Sequence, residues 1–248
     1  MRTIRMTVQY DGTDFAGFQV QSGRRTVQGE LEDALDRVTG APTRIVGAGR
    51  TDAGVHAAGQ VISFVTQSKL EPVTLRRAAN AVLPEDVAIL DAAEATMGFN
   101  ARYSARSRAY RYTVWNAEIR SASDHRYTHH WRHFLDVESM DEAVQRLVGR
   151  HDFAAFSTAS HGRERPQSTE RSLYRAHWWR EGARVCLEVV ADAFLPHMVR
   201  NLVGTLLLVG MHQATPDKMV EILASGDRRR AGVTAPAKGL CLTHVQYV

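Results

Sequence analysis

The decapeptide GAGRTDAGVH, residues 47–56, brings together three glycines, Arg50, Asp52 and His56. Glycine this dense is poor in both helix and strand, so the stretch reads as a loop. It follows the β-rich run TRIVGAG, which sets Asp52 beyond a strand end. A carboxylate there can shape a turn, sit as a surface charge, ligate a metal or act as a nucleophile. Three features lift it above a turn former. Arg50, two residues away, favours the ionised acid if it folds back. Arg200 lies inside the apolar run PHMVRNLVGTLLLVG, where a guanidinium needs a carboxylate or a stacked partner. Asp52, Asp192 and Glu188 are candidates for that role. Tyr110 sits in RSRAYRY, an aromatic among arginines, which suits stacked bases and bound phosphates. Tyr110 and Tyr112 are spaced by two, so on a strand both share one face and could equally fill core.

The arginines are unevenly spread. Residues 99–132 hold seven of them against Glu118 and Asp124, a local charge of +5 in a chain whose total is +4. Of 31 basic residues only Lys69, Lys218 and Lys238 are lysines, a ratio that codon bias alone would give. The clustering is different: it is the footprint of a polyanionic partner. His125, His129, His130 and His133 fall within nine residues and raise the idea of a metal. No cysteine lies nearby, so they are read as surface or RNA-facing side chains. His56 is read as structural or RNA-contacting rather than as a general base. Arg228, Arg229 and Arg230 follow a helix end and read as a solvated cap. The glycine pattern around Arg50 lacks the GK[ST] of a P-loop.

These residues need elements to hold them. The first hundred positions read strand, helix, strand, strand, helix, strand. TVQGELEDALDRVTG puts Val27, Leu31, Ala34, Leu35 and Val38 on one helical face, between Thr26 as N-cap and Gly40 as the stop. QVISFVTQ and VAILDAAEA are strands, and VTLRRAANAVLP is a short helix ended by Pro84. From about residue 105, SRAYRYTVWN and THHWRHFL alternate as strands. SMDEAVQRLVG opens on a capping box, Ser139 to Glu142, with Met140, Ala143, Val144, Leu147 and Val148 as its apolar stripe. RSLYRAHWWREGARVCLEVVADAF is a hairpin about its EG turn. The run carrying Arg200 is a buried helix, TPDKMVEILASG an amphipathic one with Pro216 in its first turn, and GLCLTHVQYV a final strand. The division expected is 1–104 and 105–248, two α+β halves of the split βαβ, ferredoxin-like kind. Joined edge to edge, their sheets would leave a cleft between them.

Composition fits a globular protein: 44% hydrophobic, 23% charged, with Cys186 and Cys241 too far apart in sequence for a zinc ribbon or disulfide framework. No run is long enough to span a membrane, and MRTIRMTVQYDG lacks the apolar core of a signal peptide. A cytoplasmic location is expected.

Four blocks, GRTDAGVHAAGQV, FNARYSARSRAYRYTVWN, FLPHMVRNLVG and APAKGLCLTHVQYV, resemble in order and spacing the signatures of the tRNA pseudouridine synthase A family. YDGTDFAGFQVQ and TVQGELEDAL fit it too, so the likeness runs over essentially the whole chain. The resemblance implies two ferredoxin-like, RRM-like halves in one mainly antiparallel sheet, helices on one side and a central basic cleft. It implies an isomerase that converts uridine to pseudouridine at positions 38, 39 and 40 of the tRNA anticodon stem–loop, working as a homodimer with no metal or organic cofactor. Carried over residue by residue, Asp52 is the nucleophile, Tyr110 stacks on the target base, and Arg200 pairs with Asp52. Arg50 is a further substrate-binding candidate; His56, Arg102, Arg106 and Arg108 are candidates for tRNA contact. One departure stands out: Asn100 occupies the place where the family often has histidine. The alternative is a tRNA-binding protein of the same fold without catalysis, against which the joint presence of Asp52, Tyr110 and Arg200 argues.

Overall fold

The computed structural model describes residues 1–158 and 168–247. In chain order its elements are β1 (Arg2–Tyr10), α1 (Val27–Thr39), β2 (Val46–Gly47), β3 (His56–Thr66), α2 (Pro72–Asn80) and β4 (Val87–Ala95). There follow β5 (Ser107–Asn116), β6 (His129–Trp131), α3 (Val137–Gln145), β7 (Gly149–Asp152), β8 (Glu170–Glu181) and β9 (Arg184–Ala191). Helices α4 (Met198–Gly210) and α5 (Asp217–Ser225) and strand β10 (Leu240–Gln246) complete the series. Two compact units result: Met1–Arg108 with Cys241–Val248, and Ala109–Leu240. Both are α+β and mainly antiparallel. No helix among the described residues is long and apolar enough to cross a membrane.

In the first unit the strand order is β4-β1-β3-β10, with β2 laid against β3. Strand β1 runs antiparallel to both of its neighbours. Ile4, Met6, Val8 and Tyr10, alternate residues of β1, are all buried, as period-two patterning requires. Strand β10 joins in parallel, setting Cys241 opposite His56 and Leu242 opposite Ala57. Helix α1 starts where expected: Thr26 accepts from the amide of Gly29, and Gly40 ends the helix in the left-handed conformation with its amide on Asp36 O. Val27, Leu31, Ala34 and Leu35 are buried, while Val38 is only half-buried. Glu32, also buried, bonds the amide of Ile45 at 3.1 Å and the guanidinium of Arg44 at 2.6 Å. That carboxylate turns the chain toward β2. Only Val46–Gly47 of the run TRIVGAG pairs as strand.

In the second unit the strand order is β5-β9-β8-β7, with β6 parallel to β5. The β8–β9 hairpin turns at Gly182, whose φ of 58° suits the tight connection. Its core includes Trp178, Tyr112, Phe153, Phe156 and Met140, all fully buried. Two expectations need correction. Strand THHWRHFL shrinks to three residues, and helix α3 begins earlier than the capping box predicts. Its N-cap is Asp136: the carboxylate accepts from the Ser139 amide at 3.1 Å and from the Ser139 hydroxyl at 2.7 Å. Asp and Ser compete for one role three residues apart, and the ionised acceptor takes it. Met140, Ala143, Val144 and Leu147 are buried as expected, but Val148, past the helix end, is exposed. Helix α4 is buried on almost every side, as its sequence requires.

Candidate active site

Asp52 is half-buried, on the irregular stretch between β2 and β3. The amide of Val55 returns to Asp52 O at 3.1 Å, closing a turn with Gly54 at its third position and φ 77°. Positive φ there is what a type II turn requires, which accounts for that glycine. Gly47 is accounted for by packing, since a Cβ would run into the ring of Phe18.

The residues just before Asp52 are braced to the sheet by buried polar groups. Gln60, on β3 with no exposure at all, donates from Nε2 to Gly49 O at 2.7 Å and accepts from the Gly49 amide at 3.2 Å. Its amide thus copies a backbone partner and pins Gly49 as a strand neighbour would. The Tyr10 hydroxyl lies 2.7 Å from the Thr51 hydroxyl, so β1 holds the residue adjoining Asp52. Burial pushes the Tyr10 phenol well above its ordinary range, which keeps it a neutral hydrogen-bonding group. The amide of Phe18 donates to Thr51 O at 3.0 Å, and Gly17, with φ 101°, is the residue that lets the 12–18 loop come this close. On the other flank, Gly12 donates to His56 Nδ1 at 3.0 Å, with Asp11 Oδ1 at 3.1 Å from the same nitrogen. A Cβ on Gly12 would overlap Val55 O. Strand β3 through Gln60, the end of β1 through Tyr10, and the 12–18 loop through Gly12 and Phe18 therefore all grip the loop.

The arginines divide by use. Arg108 is half-buried, its guanidinium donating to Ala48 O at 3.0 Å, Ala105 O at 3.2 Å and Arg102 O at 2.6 Å. It clamps the chain before Asp52 to the 102–105 turn. Asn100 organises that same turn: its Oδ1 accepts from the amides of Arg102 at 2.9 Å and Tyr103 at 3.1 Å. Asn100 thus forms an Asx cap on that turn. Arg50, Arg102 and Arg106 are exposed, and Arg102 lies over the Tyr103 ring, itself 78% exposed.

In the second unit, Tyr110 on β5 is buried and meets Phe194 edge-on, with centroids 5.1 Å apart. Tyr112 is core: it is fully buried, its hydroxyl donates to Pro236 O at 2.9 Å, and burial holds its phenol protonated. Arg200 sits in the first turn of α4 and donates from Nε to Ala235 O at 2.7 Å. Glu188, one carboxylate considered for Arg200, pairs with Arg175 and lies 4.0 Å from Arg111. Asp192, another, accepts from the amides of Ser172 and Ala193. The histidine group is spread over a turn and β6. His125 contacts Ala122 O, His130 contacts Ala117 O, and His129 and His133 meet Trp131 edge-on from either side. Burial, then Lys238 and His130, lower the His129 pKa to about 4. Among the described residues no group of three His, Cys, Asp or Glu could hold a metal ion.

Sequence reasoning missed the braces. Gln60 carried a signal, a long amide inside an apolar strand, since a buried polar side chain demands partners. Tyr10 and Gly12 were visible only as the end of a strand and the start of a turn.

The first unit therefore holds a half-buried carboxylate on a braced loop, with exposed cationic and aromatic side chains at Arg50, Arg102, Tyr103 and Arg106. The comparisons give the class of the protein. The chain belongs to the tRNA pseudouridine synthase family, whose model matches residues 6–104 and 143–248. A protein of Chloroflexus aurantiacus named tRNA pseudouridine synthase A is 49% identical over all of this chain and 89% of its own length. A protein of the same name from Moorella thermoacetica is 44% identical over the full length of both chains, and one from Methylococcus capsulatus 46% over 98% of this chain and 89% of its own. This chain is thus an enzyme of a uridine-isomerising family.

Proposed function

We propose that this chain isomerises uridine to pseudouridine at one or more of positions 38, 39 and 40 in the anticodon stem–loop of tRNA, with Asp52 as the nucleophile. The observation that carries the reading is the loop: a half-buried carboxylate whose neighbours Gly49, Thr51 and Val55 are each locked in place. Full-length relatives named for tRNA pseudouridine synthesis support the substrate.

The target base must leave its stack, at a cost of a few kcal/mol that stacking in the pocket offsets. Tyr110 stacks on the flipped uracil. Arg200, with Arg50 nearby in sequence, pairs with Asp52 and keeps it ionised and oriented. The carboxylate adds to uracil C6 or ribose C1′, which divides glycosidic cleavage into easier covalent steps. The N1–C1′ bond breaks, the base turns, C5 bonds to C1′, the carboxylate is released, and the C5 proton leaves to solvent while N1 takes one up. No redox or hydrolytic step is needed, so the residues suffice without a cofactor. Arg102 and Arg106, both exposed, contact phosphates, with Arg108 and His56 as further candidates. The enzyme works as a homodimer in the cytoplasm.

Transcript tRNA carrying tritium at uracil C5 provides the test. Wild type releases the label without added metal; Asp52→Asn abolishes release while tRNA binding stays within a few-fold. Label retained by wild type on cognate tRNA refutes the reading.

A further inference from the structure

The Arg200 side chain reaches out from α4 to a carbonyl that belongs to no regular element. Its Nε donates to Ala235 O at 2.7 Å, and the Ala235 amide donates back to Arg200 O at 3.1 Å. A reciprocal pair of this kind fixes the guanidinium only as well as residue 235 is itself fixed. The segment carrying Ala235 is held with unusual care. The Gly232 amide donates to the Thr205 hydroxyl at 2.9 Å, which in turn donates to Asn201 O at 2.8 Å. The Thr234 hydroxyl donates to Asn201 Oδ1 at 2.7 Å. Arg228 Nη2 reaches both Asn201 Oδ1, at 2.9 Å, and Thr234 Oγ1, at 3.0 Å. Asn201, with no exposure, spends its two remaining hydrogens on Phe156 O and Thr158 Oγ1. Backbone meets backbone as well, since a Cβ on Gly204 would overlap Val233 O.

The network carries a cost that a purely structural loop would not incur. Asn201 is a fully buried amide in a mostly apolar helix, and Arg228 is a half-buried cation whose hydrogen bonds among the described residues all go to neutral oxygens. Its Nε is buried with no hydrogen-bond partner among the described residues, and burial lowers its pKa. An apolar packing of the same segment on α4 would avoid both penalties. What polar packing adds is a single geometry for the 231–236 segment. The aliphatic stem of an arginine has several rotatable bonds, and holding Nε to a fixed carbonyl orients the planar fork beyond it.

We propose that Asn201, Thr234 and Arg228 are positioning residues for the isomerisation, acting through the Ala235 carbonyl to aim Arg200. The proposal rests on Arg200 serving Asp52 as read above. Thr234→Val keeps the side-chain shape and removes the hydroxyl; Thr234→Ser keeps the hydroxyl. Single-turnover tritium release at saturating tRNA should fall about tenfold to a hundredfold in Thr234→Val, the loss expected of a misplacement near 1 Å. The Kd for tRNA should stay within threefold, and Thr234→Ser should restore the rate. In an Arg200→Lys background, Thr234→Val should cost nothing further, because the two act as one unit. Arg228→Gln, should Thr234→Val fold poorly, removes the Arg228 guanidinium from Thr234 Oγ1, Asn201 Oδ1 and Ala231 O and should show the same split between rate and Kd. A Thr234→Val enzyme within twofold of wild type, beside a slow Arg200→Lys enzyme, overturns the network alone. Additive losses in the double variant do the same. An Arg200→Lys enzyme as fast as wild type removes the role of Arg200 itself.

Discussion

Gln60→Leu isolates what the brace beneath the Asp52 loop is worth. The substitution keeps approximate volume at a site with no exposure and deletes both polar atoms. It strips the Gly49 amide of its bond at 3.2 Å and the Gly49 carbonyl of its bond at 2.7 Å. A buried polar group left unpaired costs about 1–3 kcal/mol. Gly49 is half-buried, so water recovers part of this, and a total of about 2–4 kcal/mol is expected. For a chain of this size each kcal/mol moves Tm by roughly 2–4 °C, giving a fall of about 5–15 °C. Catalysis should suffer separately. With Gly49 released, Asp52 is held from one side fewer, and a shift near 1 Å costs about a hundredfold in rate. Two assays read the two effects: thermal unfolding, and single-turnover tritium release at a temperature where the variant is fully folded. A variant that melts within 1 °C of wild type, or reacts within twofold of it, would show that the loop needs no brace from β3.

Two further outcomes follow from the second unit. Asp136→Ala removes the N-cap of α3 and should cost about 1 kcal/mol by urea titration, whereas Ser139→Ala, which leaves the Asp136 acceptor of the helix amide in place, should cost markedly less; equal losses would restore the capping box as the true start. His129, with its pKa lowered to about 4, binds its proton more readily unfolded than folded. Its contribution is therefore complete above pH 6.5 and lost as pH falls toward 4. The full linkage would be about 3 kcal/mol, and solvent access at a half-buried ring cuts it to roughly 1–2 kcal/mol. His129→Gln should shrink the difference in unfolding free energy between pH 7 and pH 4.5, read by urea titration, by that amount, and an unchanged difference contradicts the burial argument.

Legibility in the sequence depended on whether a residue's reason was local. Helix α1 was readable to its caps because Thr26 and Gly40 act within a turn of themselves. The β8–β9 hairpin and the buried helix α4 were readable from patterning alone. The start of α3 was not, because Asp136 and Ser139 both satisfy local rules and only geometry ranks them. At the site, the decapeptide singled out Asp52, but its glycines carried a mixed message: Gly54 answers a turn and Gly47 answers the Phe18 ring. Gln60 and Tyr10 reach the loop across strand register, and Thr234 reaches Asn201 across 33 positions. Such distant partnerships leave no trace in spacing. The resemblance supplied roles that neither patterning nor spacing could.

Strand β10 bears on how the chain is made. Its partner β3 is about 185 positions earlier, and the pairing is parallel, the slower kind to form. While a ribosome works through the intervening residues, β3 presents an unfilled edge to solvent, the kind of edge that invites association between nascent chains. Gly59 is placed on that edge where a Cβ would overlap Thr243 O, so β3 is cut to receive one late strand closely. The unit that carries Asp52 is completed only after the unit that carries Arg200 has been synthesised. An interrupted translation product would therefore contain Asp52 but lack the strand that finishes its sheet, leaving quality control an incomplete domain to find.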